Sequence, residues 1–148
     1  MFKSILLLSS LLFIASGCSN NETAESKSNP LLEEWSGPFG GVPAFDKMGI
    51  SLIQEAMEKG MESHLDEIES IANNTEAPTF DNTILAMKKS GATLNRVYPY
   101  YSLFTGSLSI DAVRKVEEVW VTKLSDYSSK IIQNNKLFQR IKRSMTRV

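Results

Sequence analysis

Hydrophobic side chains recur every three or four residues through most of the chain after residue 50, with polar side chains between them. This spacing places the apolar side chains on one face of a helix, so it predicts amphipathic helices. The first helix is predicted to open with a capping box formed by Ser51 and Gln54 and to end near Asn73–Asn74. Its apolar stripe consists of Ile53, Met57, Met61, Leu65, Ile68 and either Ile71 or Ala72.

The second predicted helix begins at Thr79, because a proline precedes it and the Thr79 hydroxyl can accept a hydrogen bond from the Asn82 N–H. Helical spacing then continues to Leu108. Pro99 removes a hydrogen bond inside this span, so we expect a kink or a break near it. Ser90–Gly91 is a second weak point, or a place where another helix approaches closely. The apolar face comprises Phe80, Ile84, Met87, Gly91, Leu94, Tyr98, Tyr101, either Phe104 or Thr105, and Leu108.

Two further helices are predicted in the rest of the chain. Ser109 can cap the third, with Asp111 in its first turn, and Asn134–Asn135 should end it. The helical spacing of the fourth continues toward Val148, a pattern that is typical of a truncated chain. The stripes are Val113, Val116, Trp120, Leu124, Tyr127 and Ile131, then Leu137, Phe138, Ile141 and Met145. No useful strand-like alternation is present, so the predicted fold is all-α with about four amphipathic helices.

The segment before the helices divides into three parts. Residues 1–17 have the features of a signal peptide, since Lys3 precedes an apolar run too short to span a bilayer. Residues 18–29 are almost without apolar side chains and are predicted to be a flexible tether. Residues 30–148 form the helical region. It opens with a Gly- and Pro-rich ordered loop, in which Trp35, Phe39 and Phe45 are the predicted anchors.

The single cysteine, Cys18, excludes an internal disulfide. Small residues, Ala15-Ser16-Gly17, stand directly before it and resemble the end of a bacterial lipoprotein signal. That resemblance implies cleavage after Gly17, acylation of Cys18 and attachment to a membrane through the lipidated cysteine. Ser19 beside it favours the outer membrane, with the protein on its periplasmic side. The alternative is an ordinary secretory signal in which the cysteine occurs by chance.

Charge is distributed unevenly although the net charge is only −1. From Glu22 to Asp81 there are 13 acidic and 3 basic residues, and from Asn82 to Val148 there are 12 basic and 4 acidic ones. The basic residues are spread over several helices without the glycine or aromatic interleaving of an RNA-binding motif, so no nucleic-acid partner is predicted. Two explanations fit the pattern better: an acidic helix packs beside basic ones, or the basic end meets an acidic surface outside this chain.

Candidate chemistry is sparse. His64 is the only histidine, and with Glu67 or Glu69 it supplies too few ligands for a zinc hydrolase site. We interpret it as a residue at the surface or boundary of its helix. No Gly-x-Ser-x-Gly, P-loop or dinucleotide motif occurs. The Tyr98–Tyr101 cluster could line a peptide channel, although such aromatic residues are more often core. We therefore predict no catalytic and no metal-binding residue in this chain.

Several segments, taken in order, resemble the N-terminal part of the thimet-oligopeptidase family of zinc metallopeptidases, most closely its bacterial peptidyl-dipeptidase branch. The likeness extends over nearly all of residues 29–148. It is carried by Asn29-Pro30-Leu31-Leu32, Trp35, Gly37 to Pro43, Phe45-Asp46-Lys47, Ile68 to Asn73, Ala77 to Thr83, Lys89-Ser90-Gly91, Leu94, Asn135 to Phe138 and Arg140-Ile141-Lys142.

The resemblance implies a larger, mostly helical enzyme that uses zinc to hydrolyse short peptides and releases C-terminal dipeptides. Its His-Glu-x-x-His motif and later glutamate have no counterparts here, so the chain would be an inactive N-terminal scaffold with no zinc of its own. Trp35, Phe45, Phe80 and the Tyr98–Tyr101 cluster would be packing residues. The alternatives are a self-standing helical envelope lipoprotein that binds a partner without catalysis and, more weakly, a basic binder of nucleic acid or membrane surfaces.

Overall fold

The structure, a computed structural model, describes residues 28–108 and 110–146. Cys18, the predicted signal peptide, most of the tether, Ser109 and Val148 lie outside these residues. The helices are α1 (Ile50–Ala72), a π-helical segment (Phe80–Leu85) that continues into α2 (Ala86–Lys89), α3 (Ala92–Ser107), α4 (Asp111–Ile132) and α5 (Asn135–Met145). Short 3-10 turns occupy Pro30–Leu32, Pro38–Gly40 and Phe45–Lys47. The described ranges contain no strand, only an isolated bridge between Ser36 and Val42, so the all-α prediction is confirmed.

The start of α1 differs from the prediction, whereas its end agrees. The helix begins at Ile50 after Gly49, and no side chain caps it, so the capping box predicted at Ser51 and Gln54 is wrong. Gly49 adopts the extended backbone of a cap residue, which moves Ser51 into the first turn. At the other end, the Asn73 N–H donates to the Glu69 carbonyl at 2.9 Å and closes the helix where predicted.

The predicted second helix starts as expected but forms two pieces. Thr79 accepts from the Asn82 N–H at 3.1 Å, and the Asn82 side chain accepts from the Thr79 N–H at 2.8 Å. The helix then breaks at Ser90–Gly91, where Gly91 has a φ of +75° that favours glycine. No break occurs at Pro99, which lies inside α3. The predicted weak point at Ser90–Gly91 is therefore the break, and a break near Pro99 is wrong.

The boundary between α4 and α5 is confirmed, but the predicted stripe of α5 is only partly right. The Asn134 side chain accepts from the Leu137 N–H at 3.0 Å and caps α5. The α4 stripe faces the core as predicted. On α5, however, Phe138 and Met145 are exposed, and the buried positions beside Leu137 are taken by Arg140 and Ser144.

The core consists of one large cluster and one small one. The large cluster is formed by α1, α3 and α4, and includes Met57, Val97, Tyr100 and Trp120. The small cluster joins the end of α1 to α5 through Ile68, Ala72 and Leu137, among others. Gly60 allows close approach of α1 and α3, since a Cβ there would lie 3.1 Å from the Leu94 Cα. Helix α1 also pairs Glu58 with Lys123 of α4, as the charge pattern predicts.

The segment before α1 is ordered through Asn29 and Tyr100. Asn29, predicted to be the last residue of the tether, is only 2% exposed, and its amide donates to the Leu52 carbonyl at 2.8 Å. The ordered region therefore includes Asn29. Further along, the Ala44 N–H donates to the Tyr100 hydroxyl at 2.7 Å, and Phe45 meets the Tyr100 ring edge-on. The described helices include none that is long and apolar enough to cross a bilayer.

Three predicted aromatic contacts need correction. Phe39 is fully exposed, with a positive φ of 59°, so it does not anchor the loop. Phe80, the first residue of the π-helical segment, is also largely exposed. Within the tyrosine cluster, Tyr100 and Tyr101 are buried, whereas Tyr98 is about half exposed. The prediction that these aromatic residues belong to the core is therefore confirmed for Tyr100 and Tyr101.

Candidate functional site

His64 lies on α1 at the boundary of the core, as predicted, and faces the junction between α2 and α3. Both of its ring nitrogens have partners. Nδ1 is hydrogen-bonded to the Tyr127 hydroxyl of α4, and Nε2 lies 3.0 Å from the Ser90 Oγ. This His64 node therefore joins α1, the α2–α3 junction and α4.

The hydrogen positions of the node follow from the remaining bonds. The Ser90 hydroxyl donates to the Met87 carbonyl at 2.7 Å, so its oxygen accepts from His64 Nε2–H. With the proton on Nε2, Nδ1 of a neutral imidazole accepts from the Tyr127 O–H. All three side chains are satisfied when His64 is neutral.

The electrostatics of the node favour the same protonation states. Burial lowers the pKa of His64, and the nearby Glu67 carboxylate opposes that shift. Burial raises the pKa of the Tyr127 hydroxyl, and the charge of Glu67 raises it further. A neutral histidine and a protonated tyrosine therefore dominate near pH 7.

Glu67 completes the contact between α1 and the α2–α3 junction. Its Oε2 accepts from the Gly91 N–H at 2.8 Å, which satisfies a donor at the start of α3. Gly91 itself allows the imidazole to lie close, because a Cβ at this position would be 2.9 Å from His64 Nδ1. Gly60, His64 and Glu67 thus occupy one face of α1 and hold the start of α3 against it.

This arrangement is suited to holding helices together and not to nucleophilic or metal chemistry. The Ser90 hydroxyl proton is bonded to a backbone carbonyl, so His64 does not activate the oxygen as a base would. Across residues 28–108 and 110–146 no group of three or more histidine, cysteine, aspartate or glutamate side chains could hold a metal ion. The residues present do not fit the zinc site that the family resemblance implies.

A second polar node surrounds Arg140 on α5. The Arg140 residue is only 5% exposed. Its guanidinium donates to the carbonyls of Asn74 and Glu76 at 2.6 and 3.0 Å, and to the Asn82 Oδ1 at 2.9 Å. Asn82 also donates to the Ala77 carbonyl at 3.0 Å. Arg140 therefore clamps the connection between α1 and the π-helical segment.

Sequence reasoning did not assign Arg140 this role. The available signal was its position three residues after Leu137, which places it on the buried face of α5. A basic residue at such a position must find acceptors, and free carbonyls are expected in the Asn73 to Pro78 connection. What sequence could not supply was the packing of α5 against that connection.

The chain is similar to bacterial dipeptidyl carboxypeptidases. It is 34% identical over 113 residues to the dipeptidyl carboxypeptidase of Salmonella typhimurium and 32% identical over 113 residues to that of Escherichia coli. Each match covers 76% of this chain and 16% of the relative, so the chain spans about one sixth of the relatives' length. No protein-family model matches it. The similarity confirms the relationship to peptidyl-dipeptidases that the sequence motifs predict.

Proposed function

We propose, from its relationship to bacterial dipeptidyl carboxypeptidases, that this chain is the N-terminal helical region of a zinc peptidyl-dipeptidase of the bacterial cell envelope. The complete enzyme would hydrolyse short peptides and release dipeptides from their C-termini. The single observation that carries this proposal is the 34% identity over 113 residues to a protein of that activity.

In this proposal, the catalytic zinc is held by sequence outside this chain. The chain has one histidine, and the bonds of His64 to Ser90 and Tyr127 occupy both ring nitrogens. Zinc in such an enzyme would activate the attacking water. The role of this region would be to present a rigid helical body, which the His64 and Arg140 nodes stabilise. By itself the chain is expected to be inactive.

The proposed location rests on the N-terminal sequence. An apolar run followed by Ala15-Ser16-Gly17-Cys18 supports acylation of Cys18 and anchoring to a membrane, with the protein on the periplasmic side of the outer membrane. Several acyl chains on one cysteine would anchor the protein stably, whereas one chain would bind reversibly.

A chimera tests the proposed function. Residues 29–148 of this chain would replace the matching part of the Salmonella typhimurium enzyme, and dipeptide release from short peptides would be measured with and without a zinc chelator. We expect chelator-sensitive activity from the chimera, and none from the purified chain or from the relative lacking that part. Dipeptide release by the chain alone would contradict the proposal. A chimera no more active than the deletion would favour the self-standing lipoprotein.

A Cys18→Ser variant tests the anchoring separately. We expect the unaltered protein to sediment with membranes and to incorporate labelled fatty acid, and the variant to lose the label and leave the membrane fraction. A Ser19→Ala variant serves as the matched control and should behave like the unaltered protein. Fatty-acid incorporation that persists in Cys18→Ser would refute lipidation at this residue.

A further inference from the structure

Helix α5 buries two polar side chains beside Leu137 and exposes two large apolar ones. Arg140 and Ser144 are each 5% exposed, whereas Phe138 and Met145 are 57% and 68% exposed. A helix on the surface of a globular protein ordinarily places its apolar stripe toward the core. The exposed apolar side chains of α5 therefore have no cover in the described part of the chain.

Phe138 and Met145 form a single surface, which we call the α5 apolar face. They are seven residues apart, close to two full helical turns, so both project on the same side of α5 about 10 Å apart along its axis. Phe80 opens the π-helical segment against which α5 packs, and it is 62% exposed. Large apolar side chains are thus exposed on both of the packed elements.

The charge on α5 restricts what can cover this face. The helix carries Lys136, Arg140, Lys142 and Arg143 and no acidic residue. Only Arg140 is buried, and the exposed Lys142 lies four residues after Phe138 and three before Met145, so it borders both on the same side of α5. A second copy using the same face would bring two sets of positive charges together. The complementary surface is therefore apolar at its centre and acidic at its edge.

We propose that the α5 apolar face docks against the catalytic remainder of the larger peptidase, on an apolar surface with acidic residues around it. This inference rests on the proposed function, in which this chain is one region of that enzyme. The chain spans only 16% of the relatives' length, so most of such an enzyme is available to cover the face. Phe138 and Met145 would be the central buried anchors of the contact.

Substitutions in the chimera described above test this contact. Phe138→Glu and Met145→Glu should each lower its melting temperature by at least about 3 °C, because each places a charge in a dry apolar contact. Val121→Glu is the matched control: Val121 is 66% exposed on α4, and this change should shift the melting temperature by no more than about 1 °C. An active chimera that tolerates both α5 substitutions would overturn the docking face while leaving the proposed function intact.

Two measurements on the purified chain give independent tests. Phe138→Glu should leave its melting temperature within about 1 °C of the unaltered chain, because nothing described covers Phe138 there. Unfolding by this substitution would show that Phe138 packs within the chain and would overturn the proposal. In a Cys18→Ser background, the chain should not bind phosphatidylglycerol vesicles. Vesicle binding that is abolished by Phe138→Glu would assign the α5 apolar face to a membrane surface instead. A chimera that neither folds nor cleaves would overturn both the docking face and the proposed function.

Discussion

Replacing Gly91 by alanine should destabilise the chain through two effects at one position. Gly91 has a φ of +75°, a backbone conformation that L residues with a Cβ rarely adopt. The added methyl would also stand 2.9 Å from His64 Nδ1 and 3.1 Å from its Cε1 and Cγ. The imidazole is bonded on both sides, so it can yield only by giving up hydrogen bonds to Ser90 or Tyr127.

The size of the effect follows from these contacts. The left-handed conformation costs alanine roughly 1–2 kcal/mol relative to glycine. Loss of one or two hydrogen bonds of the His64 node adds about 1 kcal/mol each. The smaller conformational freedom of alanine in the unfolded chain offsets about 0.4–1 kcal/mol of this. The free energy of unfolding should therefore fall by about 2 kcal/mol, which corresponds to roughly 8 °C in melting temperature for a domain of this size.

Urea unfolding followed by circular dichroism would measure this loss, with Gly106→Ala as the control. Gly106 lies near the end of α3, has no positive φ, and a Cβ there would meet nothing within 4 Å. Alanine at that position should leave stability unchanged or raise it by about 0.5 kcal/mol. If Gly91→Ala and Gly106→Ala unfold at the same urea concentration, the reasoning about the His64 contact is wrong.

Three other perturbations probe the remaining polar contacts. The free energy of unfolding should fall as the pH drops below 6.5, the ordinary pKa of histidine. The reason is that His64 has a lowered pKa in the folded chain, so the unfolded chain binds a proton first. Urea unfolding between about pH 7.5 and 5.5 measures this slope, which His64→Asn should flatten. Arg140→Met should cost about 2 kcal/mol, because the Asn74 and Glu76 carbonyls lose their donor while Asn82 Oδ1 keeps the Thr79 N–H. Arg143→Met on the exposed side of α5 should cost almost nothing, and equal urea midpoints for the two variants would refute the clamp. Thr79→Ala should cost about 1 kcal/mol as a lost helix cap, and thermal unfolding with no change would contradict this.

The sequence pattern predicted the helices wherever a stripe and a local cap agreed. Thr79 and Asn82 lie three residues apart, so their reciprocal bonds depend only on local geometry, and Asn134 caps α5 for the same reason. At the start of α1, Ser51 offered an equally local signal, yet the helix begins earlier, after Gly49. Nothing in the spacing distinguishes a hydroxyl that caps a helix from one that lies in its first turn.

The parts that failed depend on contacts between distant residues. On α5, Arg140 is buried and Phe138 is exposed, because Arg140 binds carbonyls more than 60 residues earlier in the chain. The hydrophobic periodicity of α5 carries no information about those distant acceptors. Likewise, His64 could be placed at a helix boundary from sequence, but its partners Ser90 and Tyr127 come from two other helices. The relationship to peptidases was predictable because it rests on short sequence motifs that occur in a fixed order along the chain. It does not depend on recognising a catalytic site.

The Arg140 clamp imposes an order of events during synthesis. The carbonyls and amide that it binds precede it by 58 to 66 residues, so the connection after α1 has left the ribosome well before its partner is made. At translation speeds of about 5–20 residues per second, that interval lasts roughly 3–13 s. During this interval, the stretch from Asn74 to Asn82 is not held by the Arg140 clamp. A ribosome that pauses before codon 140 prolongs the period in which proteases can cleave this stretch.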